Sequence, residues 1–278
     1  MTVRIVTDSA CDLTDDEVRS FGIDVVPLSI RFGDEELIDR EQLTVTDFYA
    51  RMASSEHLPQ TAAPSPGQFE QAFTGALADG ADQVVCINLS RKVSATIEAA
   101  EAGARSVDGD VRVLDSVSVT CGLGTIVLAA ARAAADGADA DAITALVADL
   151  SARTRVYAVL DTLENLKKGG RIGNAQALLG SMLSIKPLID FSSGEVEEAG
   201  RQRTRRKALT WLSDKVAEHA DEIEHLAVAH AMAGDIDEFV AQLAAATGRD
   251  DIRVDMIGPV VASHGGPGVI GVGLVLAN

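Results

Sequence analysis

The feature that most limits what this chain can become is a strand-to-helix switch at residues 84–100. Val84-Val85-Cys86-Ile87 is an apolar run of strand length, and the Ala-rich stretch after it reads as a helix. Between and just beyond them lie three hydroxyls, Ser90, Ser94 and Thr96. Ligands of open α/β sheets bind at the carboxyl ends of strands. A helix N-terminus adds unpaired N–H groups and a partial positive charge, so this stretch is suited to hold an anion. Ser94 serves equally well as a simple helix cap.

The same alternation runs through the first half. Val3 to Thr7 predicts a strand ending in Asp8-Ser9, and Thr14-Asp15-Asp16-Glu17 predicts a capped helix. Asp24 to Ile30 reads as a second strand, with Pro27 placing it at an edge or a bend. Helices are expected over Thr46–Ser54 and from Pro66 to about Asp79, with a loop over His57–Ser65. The strand Val111–Leu114 ends in Asp115-Ser116, repeating the earlier Asp-Ser pair; both pairs fit caps or turns. Helices over Val119–Ala135 and Asp141–Ala152 complete an α/β unit.

From about residue 154 the pattern is mixed. A strand Val156–Leu160 is followed by helix cues over Asn174–Leu183, and a hairpin spans Ile185–Arg203 around a Ser-Ser-Gly turn. A helix Thr204–Ala220, a strand Leu226–His230 and a helix Ile236–Ala246 come next, and strands Ile252–Ala262 and Val269–Leu276 close the chain. The expected architecture is a two-domain α/β protein: residues 1–153 as a mostly parallel sheet with flanking helices, and 154–278 as a mixed α/β domain.

Composition removes several functions. A net charge of -18 opposes binding to nucleic acid or to an anionic membrane surface. No apolar run approaches the ~20 residues of a membrane span, and the N-terminus enters a strand without a leader pattern. Cys11, Cys86 and Cys121 lack metal-ligand spacing and read as buried thiols of a cytoplasmic protein. Gly266-Pro267-Gly268-Val269-Ile270-Gly271 has dinucleotide-fingerprint spacing, but the strand-like end that follows leaves no room for the required helix. Neither a Walker sequence nor a Gly-x-Ser-x-Gly elbow occurs. His264 precedes the Gly-rich turn at the end of an expected apolar strand. Arg201, Arg203, Arg205, Arg206 and Lys207 form a basic island in an acidic chain, either a solvated face or, with Lys167, Lys168 and Arg171, a patch for an acidic partner or phosphate.

Taken in order, these motifs resemble the DegV family of bacterial fatty-acid-binding proteins, which includes the acyl-carrying subunits of the fatty acid kinase system. The resemblance rests on Asp8-Ser9, Thr61-Ala62-Ala63-Pro64-Ser65, Ser90 to Thr96, Leu166-Lys167-Lys168-Gly169-Gly170-Arg171-Ile172, Ile185-Lys186-Pro187, Arg203-Thr204 and His264-Gly265-Gly266-Pro267-Gly268. It implies a long acyl chain in a tunnel near the domain interface, with its carboxylate held by Thr61, Ser94 and His264. Ser90, Ala95, Thr96, Ala62 and Gly265 are the nearby candidates. Ala62 stands where the family pattern has Ser, and Ala95 where it has Gly. The resemblance further implies a non-catalytic carrier in phospholipid metabolism that presents its acid to an ATP-dependent kinase for acyl-phosphate formation. No cofactor or metal is expected, and membrane contact is at most transient. Arg171, Arg201, Arg203 and Arg205 are the candidates for docking the kinase. The alternative is a Ser-His hydrolase or phosphotransfer enzyme using Ser94 and His264.

Overall fold

The structure, a computed structural model, describes residues 1–180 and 185–278. In chain order, β1 (Val3–Asp8) leads to α1 (Asp15–Phe21) and β2 (Asp24–Val26). The hairpin β3 (Ser29–Phe32) and β4 (Glu35–Ile38) precedes α2 (Val45–Ser54), β5 (Gln60–Ala62), α3 (Pro66–Ala78) and β6 (Gln83–Asn88). Then follow α4 (Thr96–Ala104), β7 (Asp110–Asp115), α5 (Thr120–Ala135), α6 (Ala140–Arg153) and β8 (Thr154–Val159). A short α7 (Glu164–Lys168) and a 3-10 turn, Gly173–Gly180, precede the hairpin β9 (Lys186–Asp190) and β10 (Glu197–Gln202). The remainder is α8 (Arg205–Ala217), β11 (Ile223–His230), α9 (Ile236–Thr247), β12 (Arg253–Met256), α10 (Pro259–Gly265) and β13 (Ile270–Leu276).

Three sheets result. One is parallel throughout, in the order β2-β1-β6-β7. The largest is mixed, β10-β9-β8-β13-β11-β12, with only β11 and β12 parallel. The third is the antiparallel trio β4-β3-β5. From β1 the parallel sheet grows one way to β2 and the other way to β6. The gap between the carboxyl ends of β1 and β6 is thus its topological switch point, where α/β sheets place ligands.

Local sequence explains most element starts. Thr14 and Glu17 form a reciprocal capping box on α1, and Ser65 and Gln68 do the same on α3, with Pro66 at the first helical position. Thr204 accepts from the Lys207 amide to start α8. Helix α5 packs against β1 of the parallel sheet and against β8, β11 and β13 of the mixed sheet. One apolar core, including Ile5, Val85 and Ile87 with Val156, Ile189 and Ala229, runs between the two. The boundary expected at 153/154 falls at the junction of α6 and β8.

Five expectations change. Asp24–Ile30 is not one strand: the chain leaves the parallel sheet after Val26 and starts β3 of another sheet at Ser29, because Pro27 offers no N–H to continue a ladder. The cap of α2 is Thr44, not Thr46, its hydroxyl accepting from Asp47. The supposed loop 57–65 contains β5, paired with β3. Ile252–Ala262 is not a continuous strand: β12 ends at Met256, and Gly258-Pro259 starts α10. Proline's fixed φ suits the first turn of a helix and overrides the β-branched pair Val260-Val261. The helix expected over 174–183 is a 3-10 segment to Gly180, and its last three residues lie outside the described residues.

Candidate functional site

The carboxyl ends of β1 and β6 are tied together by Asp8. Its carboxylate accepts from Leu89 N at 2.8 Å, Asn88 Nδ2 at 3.1 Å and Ala10 N at 3.0 Å. Complete burial pushes this carboxyl up to about 6 despite those donors. Ser9 Oγ accepts from Leu28 N at 3.1 Å. Asp115 accepts from Val117 N, and Ser116 from Ser118 N, as turn chemistry. Both Asp-Ser pairs therefore shape the loops at the strand ends.

The loops after β6 and β7 form one wall of an apolar cavity. Leu89, Val93 and Ser94 come from the loop after β6, and Val156, Ile189 and Phe191 from the mixed sheet and its hairpin. Val260, His264 and Gly265 come from α10, and Thr61 from β5. Water-sized groups can centre over about 130 Å³ of it, several times the roughly 10–15 Å³ that a single water needs. That makes it a ligand space, far larger than a packing void. Val117 and Thr120, beside it, carry left-handed backbone with φ of 53° and 47°, a costly conformation for β-branched residues.

A second, polar cavity adjoins the first. Thr61, Arg171 and His264 line both, so they mark the mouth where apolar meets polar. Thr61 Oγ1 lies 2.8 Å from His264 Nε2. The other ring nitrogen, Nδ1, is buried with no hydrogen-bond partner among the described residues. It faces the backbone of Gly169, where a Cβ would lie 2.4 Å away; glycine is what lets the ring sit there. Burial, and secondarily the Arg171 guanidinium, hold the His264 imidazolium down to about 4. The ring is therefore neutral near pH 7.

Arg171 donates from Nε to Val93 O at 3.1 Å and from Nη1 to Gly169 O at 2.8 Å. It thereby fastens the loop after β6 to the end of α7. Ser94 Oγ pairs with Thr96 Oγ1 at 2.8 Å and accepts from Thr96 N at 3.3 Å. Ser94 thus supplies the first turn of α4 although the formal cap, Ala95, makes no side-chain bond.

Thr61, Ser94 and His264 thus share one cavity wall, joined by Gly265. The other nearby candidates are elsewhere. Ser90 is buried and donates to Gly194 O at 2.6 Å, bracing the β9–β10 turn. Thr96 is buried behind Ser94, and Ala62 and Ala95 are exposed and outside both cavity walls. The departures at 62 and 95 therefore leave the described cavity walls unchanged. Arg205 is held by Asp235, at 2.6 and 2.8 Å, and by Asp161. Arg201 and Arg203 are exposed and make no ion pair among the described residues.

Sequence reasoning missed Asn165, Gly169 and the mixed-sheet residues of the cavity. Asn165 is buried behind the mouth and donates to Ser263 O at 3.4 Å. The Gly-Gly before Arg171 was a visible signal; the pairing of Gly169 with a distant histidine was not. All three cysteines are buried free thiols, and burial pushes Cys11 and Cys121 up to about 12. Among the described residues no cluster of three potential metal ligands occurs, and no helix is long and apolar enough to cross a membrane.

Fold and site define a class: a mixed α/β protein whose parallel-sheet switch point opens onto an apolar cavity with a polar mouth. The chain belongs to the DegV family, a family of uncharacterised proteins that it matches over residues 2–277. It is 33% identical to a DegV domain-containing protein of Listeria monocytogenes over 268 residues, 96% of each chain. Among solved structures it is similar to a fatty-acid-binding DegV family protein of Thermus thermophilus, at 33% identity and a TM-score of 0.90, covering 99% of this chain and 100% of that one. It is similar also to DegV of Bacillus subtilis, described as a fatty acid binding protein, at 27% identity and a TM-score of 0.89, covering 99% of each.

Proposed function

We propose that this protein binds a long-chain fatty acid, its chain in the apolar cavity and its carboxylate at the mouth beside Thr61, Ser94 and His264. It presents that carboxylate to an ATP-dependent kinase for acyl-phosphate formation. The observation that carries the reading is the mouth itself: Thr61, Arg171 and His264 belong to an apolar and a polar cavity at once. An amphiphile fits such a junction, with its tail on one side and its head on the other. Burying ~14 methylenes contributes on the order of 10 kcal/mol before the costs of association, so the tail dominates affinity and the head sets orientation. The fatty acids of the related T. thermophilus and B. subtilis proteins support the choice of ligand.

The hydrolase alternative has little support. Ser94 pairs with Thr96 and His264 with Thr61, and Nδ1 of His264 has no acid to orient it among the described residues. The test is native mass spectrometry of protein purified without added lipid. The expected result is an adduct in the mass range of a long-chain fatty acid. Protein that emerges empty and takes up no added acid would overturn the proposal.

A further inference from the structure

We propose that the apolar cavity reads an oxygen on the lipid tail: Thr120 hydrogen-bonds a hydroxyl carried in mid-chain, so that hydroxylated long-chain fatty acids belong to the ligands of this protein. This rests on the lipid-binding reading above and concerns the other end of the same cavity.

Five polar side chains line the cavity among the described residues: Thr61, Ser94, Thr120, Arg171 and His264. Four of them gather at the mouth. Thr61 and His264 pair with each other, and Arg171 donates to the carbonyl of Val93, one residue before Ser94. Thr120 stands apart. It is 5% exposed, and its Oγ1 has no hydrogen-bond partner among the described residues.

Helix α10 sets the distance between the two. Ile257, Val260, Val261, His264 and Gly265 all line the cavity, and their three- and four-residue spacing is that of one helix face. The cavity therefore runs along α10, with the mouth at its His264 end. Thr120 belongs to the opposite end. The Asp12 carboxylate accepts from Gly258 N at 3.0 Å, just before α10 begins, and the Thr120 hydroxyl lies beside that same carboxyl. At about 1.5 Å per residue, the rise from Gly258 to His264 is about 9 Å. An extended chain advances about 1.2 Å per bond, so a tail anchored at the mouth meets Thr120 at roughly carbons 8–10.

The protein offers this hydroxyl little else. Leu28, Val119 and Ile257 on the same wall have apolar side chains, and their carbonyls already accept from Asp39 N, Gly122 N and the Tyr49 hydroxyl. A trapped water needs about two to four polar partners, where the wall at this end shows Thr120 alone. A threonine hydroxyl has one donor and two acceptor sites, so Thr120 can turn its proton to Asp12 and still accept from a ligand O–H. Its backbone, at φ 47°, is costly for a β-branched residue, and strain of this kind collects at positions that hold ligands. A tail hydroxyl buried against a wholly apolar wall would lose its water without return. Against Thr120 it exchanges one hydrogen bond for another.

The experiment titrates octadecanoate, 10-hydroxyoctadecanoate and 3-hydroxyoctadecanoate into delipidated wild type, Thr120→Val and Thr120→Ser by calorimetry. Valine keeps the shape and branching of threonine and removes only the hydroxyl. Wild type should bind the 10-hydroxy acid at least as tightly as octadecanoate. Thr120→Val should weaken the 10-hydroxy acid about tenfold. It should change octadecanoate, and the 3-hydroxy acid whose oxygen stays at the mouth, less than about twofold. Thr120→Ser should keep the wild-type order. Wild type that binds octadecanoate but holds the 10-hydroxy acid at least about tenfold more weakly overturns the inference and leaves the fatty-acid reading standing. So does an equal response of the three acids to Thr120→Val, or no response, since Thr120 then serves only its loop or a bound water. Failure of all three acids to bind wild type overturns the fatty-acid reading and this inference together.

Discussion

Thr61 has one hydroxyl proton and, at 2.8 Å, one neighbour competing for it, His264 Nε2. With His264 neutral, two arrangements are open: the ring donates to Thr61 Oγ1, or Thr61 donates to the ring. A carboxylate at the mouth selects the first, because it needs the Thr61 O–H as a donor and the ring N–H then has Oγ1 as acceptor. Thr61→Ala and Ser94→Ala should each remove a charge-assisted bond worth about 1.5–3 kcal/mol, or roughly 10- to 150-fold in affinity for the free acid. A methyl ester, titrated in parallel, should respond much less. Equal losses for acid and ester would show that these hydroxyls shape the fold and do not read the head group. His264 carries a second prediction. Its folded value near 4 lies below the ordinary 6.5, so the unfolded chain binds the extra proton between those values. Stability from this residue is thus complete above about pH 6.5 and is lost as pH falls towards 4. The full loss is about 3 kcal/mol. Buried carboxyls such as Asp8, Asp39 and Asp255, pushed up to about 6, contribute the opposite slope in both proteins, so urea melts of delipidated protein at pH 7 and pH 4 should show wild type losing stability relative to His264→Gln at the lower pH.

At the scale of elements the site depends on α10, the helix least legible in the sequence. The run Ile257–Ala262 has the β-branched texture of a strand, and only Gly258-Pro259 announces a helix. Reading it as a strand still placed His264 beside the Gly-rich turn, but it hid the packing of α10 on α7. The strand-to-helix switch at 84–100 was legible because hydrophobic run length, glycine-free alternation and hydroxyl caps agree there. The three-way meeting of β5, α7 and α10 was not, since it joins residues 61, 169 and 264 through contacts that leave no periodic trace. A glycine substitution tests that meeting directly. A methyl at Gly169 would lie 2.4 Å from His264 Nδ1 and 3.0 Å from Asn165 O. Gly169→Ala should therefore displace the imidazole, lower stability by about 1–3 kcal/mol and reduce retained lipid. Gly170 has φ of 69° but nothing within 4 Å of a Cβ, so Gly170→Asn, which tolerates that backbone, should retain lipid normally. Thermal melts with mass spectrometry of the bound fraction would separate the two, and equal behaviour would remove the close approach at Gly169 from the argument.

At the scale of the whole molecule, the question is how a chain of net charge -18 meets a partner. The five basic residues at 201–207 straddle the end of β10 and the start of α8, and they divide by what they touch. Arg205 is committed to the fold. Its bidentate pair with Asp235 and its contact with Asp161 tie the start of α8 to the loops after β11 and β8, and Asp161 lies against the Gly268 turn just beyond His264. Arg203 is exposed, precedes the Thr204 cap and pairs with no carboxylate among the described residues. Charges of the second kind steer encounter and raise association rates at low salt, with little effect on folding. Arg205→Ala should accordingly lower the melting temperature, since it leaves Asp235 without its cation, Asp161 keeping its pair with Lys186. Arg203→Ala should leave melting temperature and lipid content nearly unchanged, yet slow acyl-phosphate formation when a fatty acid kinase and ATP are supplied at subsaturating carrier concentration. The deficit should fade at high salt, where wild type loses the same steering. Normal turnover by Arg203→Ala under those conditions would take this residue out of the docking surface and leave the island as a solvated helix start capped by Thr204.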